Sequence, residues 1–394
     1  MAKGGKTGGG KWRVATRLVL AGRDPFAFEG FVNTPIYRGS TVLSPTVAQF
    51  VGRTGRYQYG RRGTPTTDAL ADAIGSLEGG AGVVLTPSGL SAITVALLSL
   101  VKSGDQILVT DSIYYPTRHF CDTALKRLGV ETIYYDPLIG AGIADLFRPN
   151  TTAVFLEAPG SLTFEVQDVP AIAKVAHARG AAVLMDNTWA TPVFFRPHEH
   201  GVDLSIQAGT KYLGGHADAN IGTLSATEAY WPRLKETHGS LGICAGPEDV
   251  FLSLRGLRTL GVRLERHMQS GLKVARWLQT RPEVQRVLHP ALQGDPGHAI
   301  WKRDFSGACG LFSFVLKPNA QAAVASFIEG LELFGIGASW GGYESLAIPF
   351  DCSKMRTATK WNPGGPCVRL HVGLEDPDDL IADLERGLAR LAST

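Results

Sequence analysis

The chain of 394 residues is 44% hydrophobic and 19% charged, and 39 Lys plus Arg against 36 Asp plus Glu leave a net charge of +3. Such a length buries a substantial core in two or three domains, and so slight a charge gives no basis for a nucleic-acid or membrane partner, so a small polar ligand fits better. Cys121, Cys244, Cys309, Cys352 and Cys367 form no CxxC pair and are odd in number, which argues against a disulfide framework or a zinc site and makes the cytoplasm the expected compartment.

The segment Met1–Lys11 is rich in glycine and lysine with no apolar run behind it, so a disordered tail is expected rather than a signal peptide or an anchor. No stretch reaches the ~18 apolar residues that a membrane span needs. Residues before about Tyr59 are interrupted by Pro and Gly and read as an arm of the kind that crosses to a neighbouring subunit. From Gly82 to Asp111 the order is strand, turn, helix, strand: Gly82–Leu85, Pro87-Ser88-Gly89, an Ala/Leu-rich run to Val101, then Ile107–Val109. This is a βαβ unit. The pattern continues with Ala153–Leu156, a helix over Val169–Arg179 closed by Gly180, the strand Ala182–Met185 and the short strand Leu204–Ile206.

Apolar strands alternating with helices predict an α/β fold with a mostly parallel sheet covered on both faces, which binds ligands at the carboxyl ends of its strands. After about Pro247 a long helical pattern runs to roughly Gln279, where Arg281-Pro282 stops it. Strands around Val284–Leu288, Leu311–Val315 and Val368–Val372, with helices between and after, predict a smaller α+β domain. The expected division is an arm over 1–58, an α/β domain over 59–250 and an α+β domain over 251–394.

Three strand ends carry candidate chemistry. The turn Thr86-Pro87-Ser88-Gly89-Leu90 feeds a helix, where free backbone N–H groups suit a phosphate, although the same turn would serve as an ordinary cap. Asp186 closes the strand Val183–Met185; it is either a turn aspartate or the anion that keeps a pyridinium nitrogen protonated. Lys211 lies in Ala208-Gly209-Thr210-Lys211-Tyr212-Leu213-Gly214-Gly215-His216. An isolated lysine is ordinarily a solvated surface group, but glycines leave room for a bulky adduct and burial would favour the neutral amine that Schiff-base chemistry needs. A phosphate turn, a pyridinium carboxylate and a Schiff-base lysine in this order match one cofactor, pyridoxal 5'-phosphate (PLP).

Several longer segments carry a resemblance: Tyr59–Thr64, Leu77–Gly82, Phe155–Ser161, Asp186–Ala190, Gln207–Tyr212, Ser339–Leu346 and Arg369–Glu375. From about Thr16 to Leu391 the chain resembles the Cys/Met-metabolism family of PLP enzymes, in its cystathionine beta-lyase branch. The resemblance implies the aspartate-aminotransferase-like fold, fold type I. It implies that Lys211 holds PLP as a Schiff base, that Asp186 pairs with the ring nitrogen, that Gly89, Leu90 and Thr210 bind the phosphate, and that Tyr114 stacks on the ring. Tyr59 and Arg61 should reach the phosphate of a neighbouring subunit in a homotetramer built of two dimers, with Tyr59 also near the substrate. Arg369 matches the arginine that grips the substrate's α-carboxylate, with Ser339 and Trp340 lining the pocket.

Two positions depart from the wider pattern. Ala208 stands where relatives often have a serine, which shifts phosphate binding onto Thr210, Arg61 and the backbone. Ala338 replaces the glutamate of many gamma-eliminating relatives and the tyrosine of some beta-lyases. The activity implied is cleavage of L-cystathionine to homocysteine, pyruvate and ammonia in methionine biosynthesis, with Tyr114 as phenolate taking the substrate's amine proton. The alternatives are a cysteine desulfhydrase or a methionine or cystathionine gamma-lyase or gamma-synthase. A non-catalytic cofactor sensor would be expected to lose Lys211, Asp186 or Arg369, and all three are present.

Overall fold

The computed structural model describes residues 12–392; the predicted disordered tail over Met1–Lys11 lies outside them. Seven strands form the larger sheet: β1 (Gly82–Thr86), β2 (Gln106–Thr110), β3 (Glu131–Tyr135), β4 (Thr151–Glu157), β5 (Ala182–Asp186), β6 (Leu204–Ala208) and β7 (Gly222–Ala226), in the order β1-β7-β6-β5-β4-β2-β3. Strands β2 to β6 are parallel to their neighbours within that group, whereas β7 runs antiparallel to both β1 and β6. The chain therefore has the α/β fold-type-I architecture with a largely parallel central sheet.

Two-sided burial explains why these strands read as unbroken apolar runs. Val154 and Leu156 of β4 and Val183 and Met185 of β5 enter one core, while Ala153, Phe155, Ala182 and Leu184 enter the core on the opposite face. The alternation of a strand places successive side chains on opposite sides, so both sets must be apolar. On the first face lies the helix Pro65–Glu78, which starts with Pro65 behind the capping residue Thr64 and ends where Gly79 turns left-handed at φ 84°. Its residues Ala69, Leu70, Ala73, Ile74 and Leu77 recur at helical spacing and are all buried.

The smaller sheet holds β8 (Val284–Leu288), β9 (Leu311–Leu316), β10 (Leu346–Phe350) and β11 (Cys367–His371), antiparallel in the order β10-β11-β9-β8. Phe312 and Phe314 of β9 and Val368 and Leu370 of β11 pack with Val274, Phe327 and Leu384 in a third core. The long helical pattern after Pro247 proves to be two helices, Pro247–Leu257 and Leu260–Gln279. The break is stabilised by arginine: Arg263 donates to the carbonyls of Gly256 and Tyr212, and Arg258 donates to those of Leu18 and Ala21. That last contact docks the helix Val14–Leu20 on its own chain, with Leu18 and Ala21 buried.

Candidate active site

The carboxyl ends of β4, β5 and β6 meet the turn Ser339–Gly342 and strand β11 of the smaller sheet. Lys211 follows β6 by three residues, and its Nζ donates to Ser339 Oγ at 2.7 Å. The Ser339 carbonyl in turn accepts from Arg369 Nη2 at 2.9 Å, so lysine, serine and arginine form one continuous contact. Lys211 Nζ also lies 5.4 Å from the Trp340 ring centroid. Burial, followed by the positive Arg369, pushes the lysine pKa down to about 8 against the opposing pull of Asp186 and Glu344.

Asp186 ends β5, where its Oδ1 accepts from the Thr188 N–H at 2.9 Å and from Thr188 Oγ1 at 2.5 Å. The Thr188 hydroxyl oxygen also accepts from the Ala208 N–H at 2.8 Å, which ties the aspartate strand to the lysine strand. Burial raises the Asp186 pKa, although Thr188 and Lys211 oppose the shift. A cationic ring nitrogen beside it would favour the carboxylate again. Glu157, in register with Asp186 on neighbouring β4, accepts from the Tyr114 backbone N–H at 2.7 Å. Burial and then Asp186 hold its carboxyl well above the usual range.

The turn after β1 supplies the anion cradle. Ser88 caps the helix Gly89–Leu98 by accepting from the Ser91 N–H, so the backbone N–H groups of Gly89 and Leu90 head the helix. A Cβ at Gly89 would come within 2.5 Å of Ala208 Cβ, so glycine is what lets the helix start approach the lysine loop. The Thr210 hydroxyl pairs with the main chain of Ile221, accepting from its N–H at 3.1 Å and donating to its carbonyl at 3.3 Å. Arg369 is 7% exposed and its Nε is buried without a partner, a donor that a substrate carboxylate would satisfy. The helix-start donors, the lysine of lowered pKa and the buried carboxylate at Asp186 suit the phosphate, aldehyde and ring nitrogen of PLP.

The model of the Cys/Met metabolism PLP-dependent enzymes matches residues 15–389. The chain belongs to this family of PLP-dependent enzymes. It is 57% identical over 380 residues to a candidate cystathionine beta-lyase of Rhizobium johnstonii, covering 95% of this chain and 96% of the relative. The cystathionine beta-lyase of Escherichia coli is 46% identical over 392 residues, covering 96% of this chain and 99% of the relative. A solved cystathionine gamma synthase of Xanthomonas oryzae, in complex with aminoacrylate and cysteine, superposes with a TM-score of 0.90 at 32% identity, covering 98% of this chain and 100% of that one.

Within this PLP-dependent chain, Lys211, Asp186, Tyr114, Ser339, Trp340 and Arg369 come together from strand ends and turns, and the helix start at Gly89 and Leu90 approaches the Ala208–Lys211 loop that carries Thr210. Tyr114 is 44% exposed, and burial of its hydroxyl side, followed by the carboxyls of Glu157 and Asp186, raises its pKa. Tyr59 and Arg61 lie elsewhere: Tyr59 is 46% exposed and bridges to Thr41, and Arg61 donates to the Gly239 carbonyl beside a cavity lined by Arg56, Arg62, Lys235 and His238. Sequence reasoning gave no role to Thr188 or Glu157. A threonine two residues after a strand-end aspartate was the available signal for the first; for the second only strand register, a property of the folded sheet, reveals the partner.

Among the described residues no group of His, Cys, Asp and Glu has the makings of a metal site, the five cysteines are free, and no helix is long and apolar enough to cross a membrane.

Proposed function

We propose that the protein is a carbon–sulfur β-lyase that cleaves L-cystathionine to homocysteine, pyruvate and ammonia. The observation that carries this reading is the contact running from Lys211 Nζ through Ser339 to Arg369, which sets a proton-transfer group beside a carboxylate-binding group. Bound PLP supplies an electron sink for the pair released when a Cα–H bond breaks. Arg369 presents its planar fork to the α-carboxylate and so aims the Cα–H bond at Lys211. Lys211 Nζ takes the Cα proton and then delivers a proton to the departing sulfur, a double duty suited to an amine with a pKa of about 8. Asp186 would serve as counter-ion to the ring nitrogen of the bound cofactor, and Tyr114 would pack over its ring.

Higher identity to the beta-lyase relatives than to the solved gamma synthase favours β-cleavage. Ala338 supports it too, since it puts no carboxylate where γ chemistry would use one. The close superposition on the gamma synthase keeps a second reading, another sulfur amino-acid lyase or synthase, as the competing outcome. Tyr59 bridges to Thr41 and Arg61 donates to Gly239, and a homotetramer of two dimers with shared active sites would bring both to a neighbouring subunit's cofactor.

Purified protein should absorb in the visible from bound PLP, and Lys211→Ala should abolish that band together with turnover. With L-cystathionine, equal amounts of pyruvate and homocysteine are expected. Release of 2-oxobutyrate as the main product would replace β-cleavage by γ-cleavage, and hydrogen sulfide from cysteine with cystathionine untouched would point to a desulfhydrase.

A further inference from the structure

Two imidazoles lie beneath the carboxylate site. His371 follows Arg369 by two residues on β11, so both side chains leave the same face of the strand. His371 and His267, the latter from the helix Leu260–Gln279, are both 0% exposed, with ring centroids 5.2 Å apart. His371 Nε2 lies 3.1 Å from the Gly341 nitrogen and 3.1 Å from the Gly342 carbonyl oxygen. It can serve only one of them, as acceptor from Gly341 or as donor to Gly342.

His267 supports the first choice. Its Nδ1 lies 2.8 Å from the Val372 carbonyl, so that nitrogen carries the proton and Nε2 keeps a lone pair. Both this Nε2 and His371 Nδ1 are buried without a partner. Were His371 to donate from Nε2, the Gly341 N–H would lose its acceptor and the neighbouring rings would carry two unmatched lone pairs. If His371 accepts at Nε2 instead, the Gly341 N–H keeps its partner, and the two unpartnered ring nitrogens are one N–H and one lone pair rather than two lone pairs. Burial holds both rings neutral, pushing His267 down to about 4 and, with His267 adding to the effect, His371 down to about 3.

We propose that His371 acts as a positioning residue: its neutral ring accepts from the Gly341 N–H at Nε2 and so fixes the Ser339–Gly342 turn for carboxylate binding, with the buried His267 beside it favouring that tautomer. The turn has little freedom to compensate: Gly341 sits at φ +85°, and a Cβ there would come within 2.9 Å of Lys211 C and Tyr212 N. A displaced Gly341 therefore displaces Ser339, which both Lys211 and Arg369 contact. The consequence for turnover rests on the β-lyase reading, whereas the anchoring of the turn does not.

Hydrogen–deuterium exchange of the PLP-loaded protein, read by mass spectrometry on peptides spanning residues 339–345, tests the anchoring directly. Exchange about tenfold faster is expected in His371→Leu. His371→Gln, whose amide oxygen can accept from the Gly341 N–H, should restore most of the protection. Wild-type exchange in His371→Leu, or no recovery in His371→Gln, would overturn the anchoring. In parallel, His371→Leu should raise KM for L-cystathionine about tenfold with kcat and bound PLP nearly unchanged. A fall in kcat with KM unaltered would overturn the assigned role. A wild type that leaves cystathionine intact would refute the β-lyase reading, while the exchange measurement would still decide the anchoring.

Discussion

Lys211 illustrates how neighbours set the task of one residue. An exposed lysine amine would be almost wholly protonated at neutral pH, whereas burial and Arg369 bring this one down to about 8, so an appreciable fraction is the free nucleophile. Capture of PLP by cofactor-free protein should accelerate about tenfold per pH unit below pH 8 and level off above it. Stopped-flow absorbance checks this; a rate still climbing in the same way near pH 10 would mean that the amine is not held in its lowered state. Lys211 and Asp186 were legible in the sequence because each closes a recognisable strand in the order one cofactor requires. The linkage of Asp186 through Thr188 to the Ala208 N–H was not, since it joins residues 20 apart through geometry that exists only once β5 and β6 are paired.

Among elements, the segment between the docked first helix and Tyr59 stands out for its surface. Phe26, Phe31, Leu43, Val47, Phe50 and Val51 are each at least 72% exposed. So many large apolar side chains in one segment call for cover from another surface, and a second copy of the chain provides it in the proposed tetramer. Val47→Asp combined with Phe50→Asp should lower the mass seen by light scattering below that of a tetramer and weaken PLP retention; an unchanged mass would exclude this segment from the interface. The buried strands β2, β4, β5 and β9 were readable as short apolar runs. Strand β7 was not: Gly222-Thr223-Leu224-Ser225-Ala226 resembles a loop in composition, yet all five residues are buried between β1 and β6. Gly222 is selected there by contact, since a Cβ would come within 2.3 Å of the Ser88 carbonyl oxygen. The division of the long helical pattern was equally hidden, because Arg258 and Arg263 suit a helix and act through carbonyls distant in sequence.

Across the whole molecule, Asp111 joins the end of β2 to the segment before β11. It accepts from the N–H groups of Thr357, Ala358 and Thr359 at 3.0, 3.0 and 2.8 Å, and from Arg118 Nη2 at 2.5 Å. Burial alone would raise its pKa, but the N–H donors and Arg118 outweigh burial and lower it. A carboxyl stabilised as its anion in the folded state contributes stability above its unfolded pKa of ~3.9, and loses it as pH falls through the lower folded value. The fastening should therefore hold in full from pH 5 to 8 and fail only in stronger acid. Asp111→Asn leaves Arg118 buried without its counter-ion and should cost about 3–5 kcal/mol in urea unfolding; a loss below 1 kcal/mol would mean that solvent already screens the pair. The antiparallel course of β7 has a consequence for the lysine itself. The chain leaves β6 at Ala208 and re-enters the sheet at Gly222, its direct register partner, so residues 209–221 form a return whose two stems are hydrogen-bonded to each other. Lys211 is thus moored at both ends, and the amine cannot drift from Asp186 without first unzipping a buried ladder.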